Sequence, residues 1–151
     1  MSFKEKYINR YLFIVLGIMV VIFLFSHSSG EDSSKQSGII VALLAYLPIS
    51  IDIDGENMML VSMIVRKSAH MTEYFILTLS IVRYLFSIEK NSPYLWSGLL
   101  AFFYACSDEF HQTFIPGRAG LFTDVLVDSV GIVAGLMGVY LLKKYFYQEE
   151  R

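Results

Sequence analysis

The sequence predicts an all-α, polytopic membrane protein: a helical bundle of four spans with a short interfacial or re-entrant segment after the first. Two observations lead to this class. The 151-residue chain is 55% hydrophobic and only 17% charged, whereas about a quarter of the residues of a soluble domain are charged. Four long apolar segments also lie along it, separated by polar stretches. The length predicts one domain, 1–151, and the net charge of -2 does not point to nucleic acid as a partner.

The first span is predicted over Tyr11–Phe25, "YLFIVLGIMVVIFLF", which is uncharged and follows a basic N-terminus. A signal peptide begins in the same way, but "SHSSGEDSS" offers no clean cleavage site of small residues, so we expect a retained helix. The next apolar stretch, Ser37–Pro48, has fewer apolar residues than the roughly twenty that a span needs. An interfacial or re-entrant segment is therefore expected there.

An acidic turn is predicted over Ser50–Asn57, "SIDIDGEN", and Asn57 is expected to cap a short helix over "MMLVSMIV". The second span is predicted over Ser68–Phe86. The third covers Pro93–Ser107 and begins at a proline, which the first turn of a helix tolerates. The fourth covers Leu121–Leu142. Short connections between the last three spans are typical of antiparallel helices in a small bundle.

Polar and small residues recur at steps of three and four along each of the last three spans, which places them on one helical face. The three stripes are Arg66, His70, Glu73, Leu77 and Ser80; Ser97, Ala101, Tyr104, Asp108 and His111; and Asp124, Asp128, Gly131, Gly135 and Gly138. Ionisable groups at membrane depth usually face the interior of a bundle. We therefore expect the stripes to face one another, with the three glycines letting the fourth span approach closely.

The polar ends of these stripes are candidates for a catalytic site. Because histidine titrates near neutral pH, His70 or His111 is a candidate general base. A carboxylate would orient the histidine or act as the acid, and Asp124 would position a donor. The candidate carboxylates are Glu73, Asp108 and Glu109. The alternative is a structural network of ion pairs, which also buries and perturbs charges.

Two arginines, Arg66 and Arg118, are expected at the outer interface, where they would hold a phosphate through forked hydrogen bonds. The sequence "PGR" places Arg118 on a tight turn directly after the acidic cluster. We expect Glu109, His111 and Arg118 to lie at a water-facing mouth, where solvent would replace a missing charge.

Two i, i+3 pairs also have the spacing of metal ligands, His70 with Glu73 and Asp108 with His111. Facing helices of metal-binding bundles use such pairs. Any polar helix face produces the same spacing, so we expect hydrogen-bonded pairs of acids with histidine or arginine here, and no metal. Whether a cofactor takes part is unknown from the sequence. No serine or threonine is clearly placed beside a histidine on the stripes, which favours activated water, metal-assisted chemistry or no chemistry.

Two segments, "RKSAHMTEYFIL" (Arg66–Leu77) and "SDEFHQTFIPGRAGLFTDVLVDSVG" (Ser107–Gly131), resemble the VanZ-like family of small membrane proteins. The resemblance covers nearly the whole chain and extends to the serine-rich turn "FSHSSG". It adds Tyr74 and Gln112 to the motif positions, as candidate substrate-binding residues. Many relatives have Asn in place of Asp128, which argues against a role for the charge at that position.

The resemblance also implies a function. A member of the family confers low-level resistance to the glycopeptide teicoplanin, which acts outside the membrane on a lipid-linked wall precursor. The chain is therefore expected to act on or bind a membrane lipid or a lipid-linked component of the cell envelope. Whether it catalyses a reaction stays open. The alternatives are a non-enzymatic protein that shields a lipid or excludes the antibiotic, a small transporter and an assembly factor.

The distribution of Lys and Arg predicts the orientation in the cell membrane. With four spans, eight of the twelve fall on one side: Lys4, Lys6, Arg10, Arg83, Lys90, Lys143, Lys144 and Arg151. Because cytoplasmic loops carry the excess of basic residues, both termini are expected in the cytoplasm and the segment 108–118 outside the cell. A reporter that is active only in the cytoplasm should therefore work at either terminus. Terminal fusions that work only on the outer face would contradict this topology.

Overall fold

A computed structural model describes residues 3–44 and 55–146, and within these ranges the chain forms five α-helices and no strand. The helices are α1 (Phe3–Ser26), α2 (Gly30–Leu44), α3 (Gly55–Ser87), α4 (Pro93–Gln112) and α5 (Phe122–Phe146). The all-α class is confirmed. Among the described residues, Ile8–Ser26 of α1 and Phe122–Tyr145 of α5 are long and apolar enough to cross a membrane.

Four of these helices, α1, α3, α4 and α5, alternate in direction. At one end of the bundle, Arg83 Nη2 near the end of α3 donates to the Tyr11 hydroxyl of α1 at 3.0 Å. At the other end, the Ser26 hydroxyl of α1 donates to Asp108 Oδ2 of α4 at 2.8 Å. We call this second end the motif end. The start of α1 and the end of α5 both lie at the opposite end, since Lys143 of α5 stacks over Phe86 of α3.

The core is built from apolar residues of these same four helices, including Ile22 of α1, Leu77 of α3, Ala101 of α4 and Ile132 of α5. The outer surface is also apolar, with exposed side chains on each helix: Phe13, Leu24, Ile76, Phe103, Val133 and Met137. Large exposed apolar patches are rare on soluble monomers and mark contacts with a membrane or another protein. This surface supports a membrane location.

The closest approach in the bundle is between α3 and α5. A Cβ atom added at Gly131 would lie 2.0 Å from the carbonyl oxygen of Met71, and one at Gly135 would lie 3.1 Å from that of Phe75. The predicted role of these two glycines is confirmed. The prediction for Gly138 was wrong, because an added Cβ there would have no neighbouring atom within 4 Å among the described residues.

The segment after the first span differs from the prediction, because α2 begins at Gly30 rather than near Ser37. Ser29 provides the start: its hydroxyl oxygen accepts the backbone N–H of Asp32 at 3.1 Å, which is the bond of an N-cap. Acidic residues in the first turn also suit the helix dipole. The polar residues from Gly30 to Gln36, where no helix was predicted, are therefore helical. Pro48, the predicted stop, lies outside the described residues.

Two further boundaries were predicted wrongly. The short helix capped by Asn57 is part of α3, which begins at Gly55 and continues without a break through the second predicted span; residues 50–54 of the predicted acidic turn lie outside the described ranges. The third predicted span ends at Ser107, whereas α4 continues to Gln112. Bonds from Gln112 to Asp108 and Glu109, one turn earlier, stabilise this extension.

The substitution Gly131→Ala should destabilise the protein, since the added methyl group would clash with the backbone of α3 and push α5 outward. Overpacking of this kind costs about 1–3 kcal/mol. Gly138→Ala is the matched control on the same face and should be neutral or mildly stabilising, because Ala favours helix over Gly. Thermal unfolding of the two purified variants in detergent would measure the difference. Equal melting temperatures would contradict the close α3–α5 contact.

Candidate functional site

The predicted site residues gather at the motif end, where α1 and α4 terminate, α5 begins and α3 passes between them. A cavity of about 230 Å³ opens there. Its polar lining consists of Arg66, Lys67, His70, Glu109, Gln112, Arg118, Asp124 and Asp128. Three helices and the loop before α5 thus contribute three basic residues and three carboxyl groups to one space, which we call the cationic cavity after its basic residues Arg66, Lys67 and Arg118.

Asp108 is buried beside this cavity and joins α4 to α1. Its Oδ2 accepts a hydrogen bond from the Ser26 hydroxyl at 2.8 Å and another from Gln112 Nε2 at 3.2 Å. A buried carboxylate is costly unless hydrogen bonds replace its water, and these two donors supply that replacement. No role was predicted for Ser26 from the sequence. The feature of the sequence that indicates such a role is the position of Ser26 at the end of the first span, in the serine-rich turn.

Glu109 occupies the next position of α4 and holds the beginning of α5. Its Oε2 accepts the backbone N–H of Leu121 at 3.0 Å, directly before the first residue of that helix, and its Oε1 accepts from Gln112 Nε2 at 3.2 Å. Glu109 lies beyond the predicted third span and is only 6% exposed. Burial raises the pKa of Glu109 to about 7, and the bond from Leu121 opposes this rise. A carboxyl group that titrates near neutrality is suited to proton transfer.

Arg118 bridges the loop before α5 to the end of α1. Its Nε donates to the carbonyl of Ser28 at 3.2 Å, its Nη2 to that of Phe25 at 3.3 Å, and its Nη1 to Gln112 Oε1 at 3.3 Å. Burial and the nearby Arg66 lower the pKa of the Arg118 guanidinium. Glu109 and Arg118 were expected at a water-facing mouth. This expectation was wrong for Glu109, which is buried. Arg118 is half-buried, and its guanidinium donates to two backbone carbonyls and to Gln112.

The backbone of the loop lets Arg118 reach α1. Gly117 has φ +73°, a conformation that residues with a side chain rarely adopt. The N–H of Gly30 donates to the carbonyl of Pro116 at 3.1 Å, so the loop contacts the start of α2. A Cβ at Gly30 would lie 2.0 Å from the Gly117 oxygen. Small residues on both sides are therefore needed for this contact.

On α3, His70 faces the cationic cavity and Glu73 lies one turn further along the helix. Nδ1 of His70 is 3.8 Å from Oε2 of Glu73, beyond hydrogen-bond distance. Both atoms are buried and have no hydrogen-bond partner among the described residues. Glu73 and His70 also line a second cavity between α1, α2 and α3. The two side chains therefore carry unused hydrogen-bonding capacity next to space.

Two more residues carry buried polar atoms without a partner in the described part of the chain, Tyr74 through its hydroxyl and Asp128 through Oδ2. Asp128 is 1% exposed and lines the cationic cavity, so it belongs to the site by position. Tyr74 lies in the core, with its ring centroid 6.3 Å from that of Tyr104. It lines neither of the two cavities described here, and its contact with a substrate stays a prediction.

The opposite sides of the site are formed by Asp124 and by His111. Lys67 donates to Asp124 and pairs α3 with the start of α5; the motif contained Lys67, but it was not among the predicted site residues. His111 points away from the cationic cavity, toward α1. Its Nε2 is 3.2 Å from Nδ1 of His27, and its ring packs against Phe23. His27, at the end of α1, is exposed and lies beside His111.

The facing stripes were expected to bring five residues into one cluster: His70, Glu73, Asp108, His111 and Asp124. The structure brings them together only in part. His70 and Asp124 line one cavity, Asp108 is buried next to it, and Glu73 borders the second cavity. His111 belongs to a separate pair with His27. Among the described residues, no group of three or more His, Cys, Asp or Glu is arranged to hold a metal ion. The predicted catalytic roles stay predictions.

Glu109 should make the protein less stable as the pH rises. Its folded-state pKa is raised from 4.5 to about 7, so the folded protein holds this proton more tightly than the unfolded chain does. The stabilisation is fully present below pH 4.5 and is lost as the pH rises through about 7. The melting temperature in detergent should therefore fall over this range in the wild type. It should fall less in Glu109→Gln, which stays neutral.

The matched control is Glu31→Gln, because Glu31 is an exposed glutamate of α2 that pairs with Lys35 at 2.8 Å. Its profile should follow that of the wild type. If Glu109→Gln and the wild type lose stability with the same slope, Glu109 does not carry the effect.

Comparison with known proteins agrees with the resemblance of the motif. A family model described as VanZ/LLP1 matches residues 11–143, which include α4, the loop with Arg118 and nearly all of α5. No curated protein and no solved structure matches the chain. Since the family match covers most of the sequence and every residue that lines the cationic cavity, the chain belongs to the VanZ/LLP1 family.

Proposed function

We propose that this protein crosses the membrane four times, with Ser68–Phe86 of α3 and Pro93–Ser107 of α4 as the additional spans and both termini in the cytoplasm. In this arrangement the motif end faces outward. We further propose that the cationic cavity binds the phosphate headgroup of a lipid-linked component of the cell envelope. The observation that carries this proposal is the cavity itself: about 230 Å³ at one end of an apolar bundle, lined by Arg66, Lys67 and Arg118.

The donors in this cavity suit a phosphate. Arg118 uses three of its five N–H groups for the protein, and Lys67 uses one of its three for Asp124, so both keep donors for a ligand. Charge-assisted hydrogen bonds to phosphate are the stronger kind, and they gain strength in a site of low dielectric constant. The fixed position of Arg118 supports binding, because a pre-organised guanidinium loses little freedom when the ligand arrives.

A second candidate is hydrolysis of the same phosphate ester. Glu109, with its pKa near 7, lines the cavity that also contains His70. Glu109 would take a proton from a water molecule while the water oxygen bonds to phosphorus and the ester bond breaks. The proton would then pass to the departing oxygen. No serine or threonine of the predicted stripes is clearly placed beside a histidine, which agrees with activated water.

The family resemblance relates the binding or hydrolysis of a lipid phosphate to tolerance of teicoplanin in the cell. A protein that holds or alters a lipid-linked precursor at the outer face would change what the antibiotic meets there. A lipid- or antibiotic-shielding role and an enzymatic role both use the same cavity. Transport and assembly remain the alternatives with the least support from these residues.

Arg66 is the residue to substitute, because Arg118 also supports the backbone of α1. We expect Arg66→Gln to weaken the binding of phosphatidic acid to the purified protein in phosphatidylcholine nanodiscs by about tenfold, as follows from losing a charged hydrogen bond. Native mass spectrometry can count the retained lipids. Lys35→Gln removes an exposed charge on α2 and should bind like the wild type. Unchanged preference for phosphatidic acid in Arg66→Gln at normal abundance would contradict the proposal.

The same pair of variants connects binding to physiology. In a teicoplanin-sensitive Gram-positive host, Arg66→Gln should lose protection while Lys35→Gln keeps it, with both proteins present in the membrane at wild-type levels. Protection that survives in Arg66→Gln would separate the cavity from the phenotype.

A further inference from the structure

A second cavity adjoins the cationic cavity and differs from it in character. It measures about 190 Å³ and lies between the end of α1, the first half of α2 and the middle of α3. Phe25, Ile40 and Val65 give it apolar walls. We call it the apolar groove. Arg66, His70 and Arg118 line both cavities, so these three residues form a layer with a polar space on one side and an apolar space on the other.

α2 lines the groove with one apolar residue, Ile40, and with Ser33, Gln36 and Ser37. Ser33 and Ser37 face inward and are buried, and the Ser37 hydroxyl donates to the carbonyl of Ser33 within the same helix at 2.7 Å. Because this bond lies within its own helix, the Ser37 hydroxyl needs no hydrogen-bond partner across the groove. The two small side chains leave room that larger residues would fill. The groove is thus shaped for a slim apolar group.

The rim of the groove continues the apolar surface of the bundle. Phe25 and Ile40 line the groove and are themselves half exposed, and Ile39 and Ile64 nearby are exposed as well. In a membrane such side chains contact hydrocarbon. A lipid chain could therefore enter the groove from the side without passing through water.

The floor of the groove is polar. Nδ1 of His70 and Oε2 of Glu73 are buried next to it without a hydrogen-bond partner among the described residues. Buried polar atoms normally have a hydrogen-bond partner. A polar linkage between a phosphate and its hydrocarbon chain would supply one at this point.

Resting on the proposed function, we infer that the apolar groove holds the hydrocarbon chain of the same lipid whose phosphate lies in the cationic cavity, with the Arg66–His70–Arg118 layer between the two parts. The ligand class is a lipid phosphate. Two sources share this chemistry, a glycerophospholipid such as phosphatidic acid and a polyprenyl monophosphate. The cationic cavity selects the phosphate, and the groove selects what is attached to it.

Neighbouring residues of α2 provide a matched test. Ile40 lines the groove, whereas Ile39 is exposed beside it and does not belong to its lining. The photo-crosslinking residue p-benzoylphenylalanine is placed at either position in the full-length protein, in phosphatidylcholine nanodiscs. The added probes, in separate samples, are phosphatidic acid, polyprenyl monophosphate and a diacylglycerol with the same chains as the phosphatidic acid.

At position 40, at least one phosphate-bearing lipid should be crosslinked about tenfold more than the diacylglycerol, and Arg66→Gln should remove this preference. At position 39 the three probes should react alike, as lipids of the surrounding bilayer do. Which of the two phosphates prevails at position 40 identifies the source. As a second measurement, Ile40→Trp should lower the retention of that lipid in native mass spectrometry, and Ile39→Trp should not.

The two ways of failing are distinguishable. If phosphate-bearing lipids bind preferentially but positions 39 and 40 react alike and Ile40→Trp has no effect, the groove is not the chain site and the inference is overturned, while the proposed function stands. If no probe with a phosphate is preferred in any measurement, the proposed function fails and the inference fails with it.

Discussion

The hydrogen bonds that close the end of α1 hold the motif end together. A helix leaves its last carbonyl groups without partners, and in an apolar environment each such group is expensive. Arg118 donates to the carbonyls of Phe25 and Ser28, and its remaining bond reaches Gln112. From there the circuit returns to α1, because Gln112 and the hydroxyl of Ser26 both donate to Asp108. Both cavities have their walls on this circuit.

Structure and binding are consequently difficult to separate at this site. A polar network in an apolar bundle is stabilising only while its members are satisfied. Glu109 fixes the start of α5 and Arg118 fixes the end of α1, so removing either group also removes a hydrogen bond that positions a helix end. The proposed function uses the same side chains. His70, Glu73 and Asp128 each carry a buried atom that has no hydrogen-bond partner among the described residues, so the fold's own hydrogen bonds do not explain these parts of the site.

The stripes of polar and small residues predicted most of the packing, because a period of three and four fixes a helical face whatever lies around it. Gly131 and Asp108 lie where that period places them. The pattern could not predict the direction of His111, since its preference for His27 depends on where α1 ends in space. Nor could it predict the start of α2, where a single capping serine converts a polar stretch into a helix. Such choices depend on contacts that composition and period do not encode.

The length of α3 explains why the site has two parts. Its 33 residues span about 50 Å, whereas the hydrocarbon core of a bilayer is about 30 Å thick. In the proposed four-span arrangement, with the second span beginning near Ser68, the first part of α3 extends past the end of the spanning helices. A direct connection from α1 to α3 would leave the layer of Arg66, His70 and Arg118 without a covering helix on its second side. Inserting α2 encloses that side and converts a charged helix end into a site with a polar and an apolar half.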